Sequence, residues 1–431
     1  RDSTSEPQLL ELMQQSSLQN RRAAAEALGR LGTKTAASAV VQAASQSTDR
    51  IVDHSLIFAA IEIGDPAPVR SLLSSTNPRI QRAALIALDQ MKNGGLSIEE
   101  LKPLLGADDE LLRESAWWVA EHRPQWATAY IPFFREALGK PLRDSAARLA
   151  LTSRLARFSA NQAIQQLMGE TLNNSDISPA TRVGLLDAFA SSRLKGIPTV
   201  WRTPLDRQLD SKDPARLTHA VAAARALAGD KPDRDLVLTF RAIATAQQLP
   251  AAIRLNALAG IPGDQHELTP ELLGFLCEHL SAAQPVQLRS FAVDVLTRAP
   301  LDRNQLLAVS SALPTAGPME LSRLMERFAK SQDPLVGQHL VDSLEKCAAS
   351  SSLPLAQLQQ QLAGYGDRVL ERAQPLLDRI RTENQEKTKK LEAVLKLTAG
   401  GDIRRGQRVF HNQKTACAAC HQMGYLGGRA G

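Results

Sequence analysis

The chain has 431 residues, of which 43% are hydrophobic and only 4% aromatic, and its formal net charge is +6. Alanine and leucine dominate the apolar residues, which favours closely packed helices over sheets rich in branched and aromatic side chains. No run of eighteen apolar residues occurs, so the sequence predicts no transmembrane segment. The basic residues lack the aromatic interleaving of nucleic-acid-binding proteins, so we expect no nucleic-acid partner.

A repeated pattern fills the first 350 residues. An arginine followed by an alanine- and leucine-rich helix returns every 28 to 39 residues, which predicts stacked pairs of helices. Turns such as Gly64-Asp65-Pro66 and Thr76-Asn77-Pro78 separate the two helices of a pair, because the residue before proline avoids the α region. We expect each arginine on the solvent side of its helix. The arginines are Arg22, Arg50, Arg82, Arg113, Arg143, Arg182, Arg216, Arg254 and Arg289.

Two adjacent tryptophans, Trp117 and Trp118, lie within the fourth of these helices. Neighbouring residues of an α-helix point about 100° apart, so both side chains cannot face the same core. We expect one to be buried and the other to lie at the surface, where packing and ligand binding are both open to it.

The segment Asn20-Arg-Arg-Ala-Ala-Ala-Glu-Ala-Leu-Gly-Arg-Leu-Gly32 resembles a HEAT repeat, and the resemblance extends over residues 8–350. It implies an all-α fold, a HEAT-like α-solenoid in which each helix pair buries its apolar face against its neighbours. Residues 353–380 still show a helical pattern that could close the end of the stack. The predicted solenoid domain is therefore residues 1–380.

Residues 381–400 predict a charged helical linker that ends at Gly400-Gly401. Asp402 is then suited to cap a short helix over residues 403–411. The predicted third domain, residues 401–431, begins at this break.

The sequence Cys417-Ala418-Ala419-Cys420-His421 is a CxxCH motif. Two cysteines at this spacing can form thioethers to the vinyl groups of a haem, and the adjacent histidine can ligate the iron. The motif predicts one covalent haem c attached through Cys417 and Cys420, with His421 as the metal ligand. Two other interpretations stay open: a structural zinc site with His411 as fourth ligand, and a thioredoxin-like redox pair.

The stretch Gly400-Gly-Asp-Ile-Arg-Arg-Gly-Gln-Arg-Val-Phe410, followed by the CxxCH motif and Gly427-Gly428, is similar to the haem-binding domain of planctomycete and verrucomicrobial multidomain proteins. The resemblance implies the start of a class I-like cytochrome c domain, electron transfer through its haem, and an upstream dehydrogenase-type domain. Neither Met423 nor His411 suits the distal side of the iron, so the distal ligand is expected beyond this chain. No catalytic constellation appears in the sequence, and the question of an enzyme stays open.

Residues 378–414 contain ten Lys and Arg residues against five Asp and Glu residues. Such a concentration of positive charge suits an acidic redox partner protein. Because haem c is attached outside the cytoplasm, we expect a periplasmic or cell-envelope location, and we expect the chain to be a fragment of a longer protein. The alternative function is a protein–protein interaction scaffold of HEAT repeats without redox activity.

Overall fold

The computed structural model of the chain describes residues 3–15, 17–46, 49–140, 145–398, 400–424 and 426–428. The described residues are 76% helical, and the chain divides into two compact units, Arg1–Asp235 and Leu236–Gly431. The predicted domain boundaries at residues 380 and 400 stay predictions. None of the described helices is both long enough and apolar enough to cross a membrane.

The α-helices of the first unit follow one another with short connections. They are α1 (Glu6–Gln15), α2 (Leu18–Leu31), α3 (Ala36–Gln42), α4 (Arg50–Ile63), α5 (Pro66–Arg70), α6 (Pro78–Gln90), α7 (Ile98–Leu101), α8 (Glu110–Glu121), α9 (Ile131–Gly139), α10 (Ser145–Phe158), α11 (Gln162–Asn173), α12 (Pro179–Ser191), α13 (Thr199–Leu209) and α14 (Pro214–Ala228), with α15 (Arg234–Thr245) beginning at the end of the unit.

The second unit continues the pattern and ends in a small hairpin. Its elements are α16 (Ala251–Ala259), α17 (Pro270–Glu278), α18 (Val286–Arg298), α19 (Arg303–Ala312), α20 (Pro318–Phe328), α21 (Pro334–Lys346), α22 (Leu355–Ala363), α23 (Asp367–Thr398), α24 (Ile403–Phe410), α25 (Cys417–Cys420), β1 (Gln422–Met423) and β2 (Leu426–Gly427). The 3₁₀ helices are Ser3–Ser5, Ala43–Gln46, Ser71–Ser74, Lys102–Gly106, Pro124–Tyr130, Gly263–Gln265, Leu313–Thr315 and Ala348–Ser352.

Within each unit the helices form two layers, because most of the longer helices pack against the second helix after them. In the first unit the even-numbered helices from α2 to α8, and again from α10 to α14, pack side by side in one layer. In the second unit α16, α18 and α20 form one layer, and α17, α19, α21 and α23 form the other. This nearest-neighbour packing is the arrangement that the repeat period predicts.

The predicted turns are confirmed. Gly64 ends α4 in the left-handed conformation with φ of 69°, and the Asp65 side chain accepts a hydrogen bond from Ala67 N. Asn77 likewise caps α6 through Arg79 N. Each even-numbered helix from α4 to α8 therefore begins at an Asp or Asn cap, which sets the same register in successive repeats.

The predicted place of the repeated arginines is wrong for several of them. Arg182 is only 8% exposed, and its guanidinium donates to Leu172 O, at the end of the preceding helix. Arg113 reaches back to Ala107 O at 2.7 Å and Arg254 to Ala244 O at 2.8 Å. Arg182 is buried and the other two are half-buried, because carbonyl oxygens near a helix C-terminus lack intrahelical partners and attract a cation. Arg143 lies outside the described residues.

The C-terminal elements differ in part from the prediction. The charged stretch from residue 381 onward is not a separate helix but continues α23 without a break. Asp402 caps α24 as predicted, with its carboxylate accepting from Arg405 N at 3.0 Å. The antiparallel pair of β1 and β2 was not predicted, since two-residue strands leave no alternating pattern in a sequence.

Candidate functional site

The three residues of the predicted haem site lie together on the surface. Cys417 and Cys420 form the two ends of α25, and His421 follows directly. Cys417 is half-buried, whereas Cys420 and His421 are exposed. That these residues form a functional site stays a prediction.

The prediction of a haem c cofactor, with its iron held by His421, is wrong. Among the described residues, no group of three or more His, Cys, Asp or Glu side chains is placed to hold a metal ion. A haem also needs apolar side chains around its faces, and among residues 400–424, 427 and 428 none is buried. The same findings contradict the zinc alternative with His411.

The functional predictions that were based on haem binding are corrected as well. Iron binding, a cytochrome c domain and electron transfer find no support in the described residues, and the solved structures of similar fold reported below are helical-repeat proteins. The expected export from the cytoplasm was inferred from haem attachment and stays a prediction. The upstream dehydrogenase-type domain also stays a prediction.

A different surface stands out in the first unit, on the layer of even-numbered helices. Phe58 on α4 is 47% exposed and Trp118 on α8 is 42% exposed. Both follow the cap of their helix by nine residues, because the caps are Asp49 and Asp109. Ile51 and Leu111, which are 58% and 65% exposed, both follow the same caps by two residues. We call these four side chains, with α6 between them, the α4–α8 face.

Each of the two aromatic rings packs against a histidine four residues away in the chain. Phe58 stacks on His54 with ring centroids 6.3 Å apart, and Trp118 packs edge-on against His122 at 4.7 Å. The His122 ring is fixed in turn by a 2.7 Å contact between its Nδ1 and Trp118 O. Each exposed ring is therefore oriented before any partner arrives, which lowers the entropy cost of binding.

Arg82 on α6 contacts both neighbouring helices of the α4–α8 face. Its guanidinium forms an ion pair with Asp53 on α4 at 2.5 Å and donates through Nε to Ser115 Oγ on α8 at 3.0 Å. One side chain thus bridges three successive helices of the layer. Beside it lies an open cavity of about 410 Å³ at the N-terminal ends of the three helices, lined by Asp49, Arg50, Asp53, Arg79, Arg82, Asp109 and Leu111.

Trp117 shows why only its neighbour is available to a partner. It is 1% exposed, its indole Nε1 donates to Leu105 O at 3.1 Å, and Arg154 covers its ring at 4.5 Å. Trp117 belongs to the core and Trp118 to the surface, as the sequence predicts for adjacent residues of a helix.

The α4–α8 face combines the residue types that carry most of the energy in protein–protein interfaces. Exposed aromatic rings supply large apolar contact area, and an arginine held by neighbours supplies directional hydrogen bonds. The sequence analysis named Trp118, and Arg82 only as one of the repeated arginines, but it did not select the other exposed apolar residues of this face. The sequence does contain a signal for them, namely an equal spacing: 60 residues, or two repeats, separate Ile51 from Leu111 and also Phe58 from Trp118.

Comparisons with known proteins support the fold. No protein-family model matches the chain, and no curated protein matches it by sequence. Among solved structures, Kap121p bound to RanGTP has a TM-score of 0.55 at 13% identity, over 92% of this chain and 52% of that chain. Kap121p bound to Ste12p has a TM-score of 0.48 at 12% identity, over 87% and 51%. An engineered protein has a TM-score of 0.36 at 16% identity, over 88% and 99%.

The chain spans about half the length of the Kap121p chains that it matches. At this identity the similarity concerns the fold alone. The chain therefore has the fold of karyopherin- and HEAT-like helical solenoids, which confirms the helical part of the predicted fold class.

Proposed function

We propose that the chain is a protein–protein interaction scaffold that binds a partner protein through the α4–α8 face. The observation that carries this proposal is the pair of half-exposed aromatic rings, Phe58 and Trp118, at the same register of two helices. A buried role cannot account for them, because their neighbours in the same helices already fill the core.

The fold supports this function. Repeated helix pairs expose one long surface per layer, and such surfaces suit the binding of extended partners. The Kap121p structures of similar fold were solved with proteins bound, namely RanGTP and Ste12p. The partner of this chain is proposed only as a protein that presents apolar side chains to the α4–α8 face.

The proposal can be tested by capturing partners on the immobilised chain from extracts of its own host. We expect the double variant Phe58→Ser/Trp118→Ser to lose the specific partner, with affinity reduced by at least about 30-fold, because the loss of a single aromatic anchor of an interface already costs about 2 kcal/mol or more. Quantitative mass spectrometry of the captured proteins gives the readout. Thermal unfolding checks that the variant is folded, which we expect because both side chains are surface-exposed.

The matched control is Val286→Ser/Leu335→Ser. These side chains are also exposed, at 63% and 47%, but they lie in the second unit. The control should retain the partner captured by the natural chain. Equal capture by both double variants would show that the α4–α8 face is not the binding surface.

A further inference from the structure

We propose that Cys417 and Cys420 form a thiol–disulfide exchange site for anionic low-molecular-weight disulfides of the glutathione type. The proposal is independent of the α4–α8 face, and its experiment involves no protein partner.

The two cysteines are placed for a disulfide. They are the first and last residues of α25, and His421 N donates to Cys417 O at 2.9 Å, which closes one α-helical turn. Residues three apart in such a turn have Cα atoms about 5 Å apart. This separation lies within the range of roughly 4.4–6.8 Å that disulfides require. The helical turn therefore needs little rearrangement to join the two sulfur atoms.

The turn is held by its surroundings rather than left free. Ala416, directly before Cys417, has φ of 51°, a left-handed conformation that is strained for a residue with a side chain. After the cysteines, the β1–β2 hairpin folds back, and Gly428 N donates to Ala418 O at 2.8 Å. A Cβ atom at Gly427, whose φ is 116°, would overlap His421 O. Only glycine allows this close return of the chain.

The other two cysteines of the chain are protected from the same reaction. Burial raises the pKa of the Cys277 thiol to about 11, and burial also raises the pKa of Cys347. Both therefore stay in the unreactive thiol form at neutral pH, because the thiolate is the attacking species. Cys420 is exposed and Cys417 is half-buried; Cys277 is half-buried as well, so its raised pKa, rather than its place in the chain, separates it from this pair. The chain thus contains its own internal control for selective oxidation.

The charge around α25 favours an anionic disulfide. Residues 402–424 carry four exposed basic side chains, Arg404, Arg405, Arg408 and Lys414, against one acidic residue, Asp402. None of the four forms an ion pair within the described part of the chain. A cluster of like charge raises the local concentration of a ligand of opposite charge and the rate of its encounter.

The reaction balances without any other oxidant. One cysteine thiolate attacks a sulfur of oxidised glutathione, the glutathione S–S bond breaks, and a protein–glutathione disulfide forms. The first glutathione leaves as a thiolate and takes up a proton. The second cysteine, as a thiolate, then attacks the sulfur atom of the first cysteine, the bond from that sulfur to glutathione breaks, the Cys417–Cys420 disulfide forms, and the second glutathione leaves as a thiolate. Two protein thiols are oxidised and one glutathione disulfide is reduced to two thiols.

The test equilibrates the reduced full chain with glutathione buffers of increasing oxidised fraction, followed by acid quenching, alkylation and peptide mass mapping. We expect a disulfide between Cys417 and Cys420, while Cys277 and Cys347 are alkylated as free thiols. In Cys420→Ser, we expect Cys417 to stop at the mixed disulfide with glutathione. The proposal is overturned if, even in oxidised glutathione alone, the natural chain keeps both thiols free or carries only glutathione adducts.

Three further variants, one of them a control, test the roles of the close chain return and of the basic side chains. Gly427→Val should shift the glutathione ratio at half-oxidation by about tenfold, which is about 30 mV for a two-electron couple. Gly406→Ala is its control, because a Cβ atom there meets no atom within 4 Å.

Arg404→Glu/Arg408→Glu should slow oxidation by oxidised glutathione about tenfold at low salt, but not oxidation by the neutral hydroxyethyl disulfide. Equal shifts in the two glycine variants, or equal slowing with both disulfides, would contradict this account of the site.

Discussion

A single arginine shows how a charged residue can serve the interior of a helix pair. The Arg182 guanidinium donates to Leu172 O at 3.3 Å, to Asn174 O at 3.2 Å and to Ser175 O at 3.1 Å. These carbonyls belong to the last turn of α11 and the loop after it, where backbone acceptors lack helical partners. Burial lowers the pKa of Arg182, and the three carbonyl dipoles compensate for the lost hydration.

Replacing Arg182 with methionine tests this role. We expect Arg182→Met to lower the free energy of unfolding by about 2–3 kcal/mol, because hydrogen bonds to a charged group are lost and buried carbonyls are left without partners. Denaturant titration measures the change. Arg157→Met, at an exposed position of α10, should change stability by no more than about 0.5 kcal/mol. Similar losses in both variants would argue against a special role for the carbonyl contacts.

A second residue predicts how stability depends on pH. His266 is 8% exposed, and burial, with help from Arg298 and Arg241, lowers its pKa to about 4. Asp264 acts in the opposite direction but is outweighed. The unfolded chain takes up a proton on this histidine below about pH 6.5, whereas the folded chain does so only near pH 4. The free energy of unfolding is therefore unaffected by His266 above pH 6.5, and it decreases as the pH is lowered towards 4.

We expect this loss to be of the order of 3 kcal/mol, since each unit of pKa difference corresponds to about 1.4 kcal/mol. Unfolding titrations at pH 7.0, 6.0, 5.0 and 4.0 should show a smaller decrease for His266→Gln than for the natural chain. His339→Gln, at an exposed histidine of α21, should follow the natural chain. Parallel curves for all three proteins would show that His266 does not cause the acid sensitivity.

At the scale of elements, α23 joins two segments with different surroundings. Its buried residues, from Val369 to Ile380, pack against the last repeats, whereas none of its side chains after Ile380 is buried. Leu391 and Leu397 are 58% and 78% exposed. A helix without tertiary packing opens readily, because propensity alone gives it little stability.

Hydrogen exchange should therefore divide α23 at Ile380. We expect amides of residues 389–397, which lie beyond the contact of Lys387 Nζ with Ser351, to exchange at least about tenfold faster than those of residues 370–380, because the latter are held by packing. Peptide-resolved mass spectrometry after deuterium labelling makes the comparison within one helix, so helix type and chemistry are matched. Uniform protection along α23 would mean that something covers its second half.

The elements also show which sequence signals were sufficient. Caps and turns such as Asp65, Asn77 and Asp402 act within a few residues, so they could be predicted and they fix where helices begin. The continuity of α23 through residue 381 could not be predicted, because the charged residues after it have the same high helix propensity as the residues before it. The β1–β2 hairpin depends on the contact of Gly428 with Ala418, which no local pattern records.

For each compact unit, the repeat period predicted the fold because the helices pack mainly on helices that are near them in the chain. The candidate site was harder to predict. Trp118 could be recognised beside Trp117, but its relation to Phe58 appears only when two repeats are aligned in register. The CxxCH motif led to the opposite error: the spacing of Cys417, Cys420 and His421 suits a haem, yet the described residues around them provide no apolar enclosure.

The spacing of the α4–α8 face also sets a length for whatever binds it. Helices packed side by side have axes about 8–10 Å apart, so Phe58 and Trp118, two helices apart, stand about 16–20 Å from each other. An extended strand covers this distance with about five or six residues, and a helix covers it with about twelve. The face therefore selects ligands by length: a short linear peptide with apolar side chains at its two ends should contact both rings, whereas a peptide of half that length should contact only one ring.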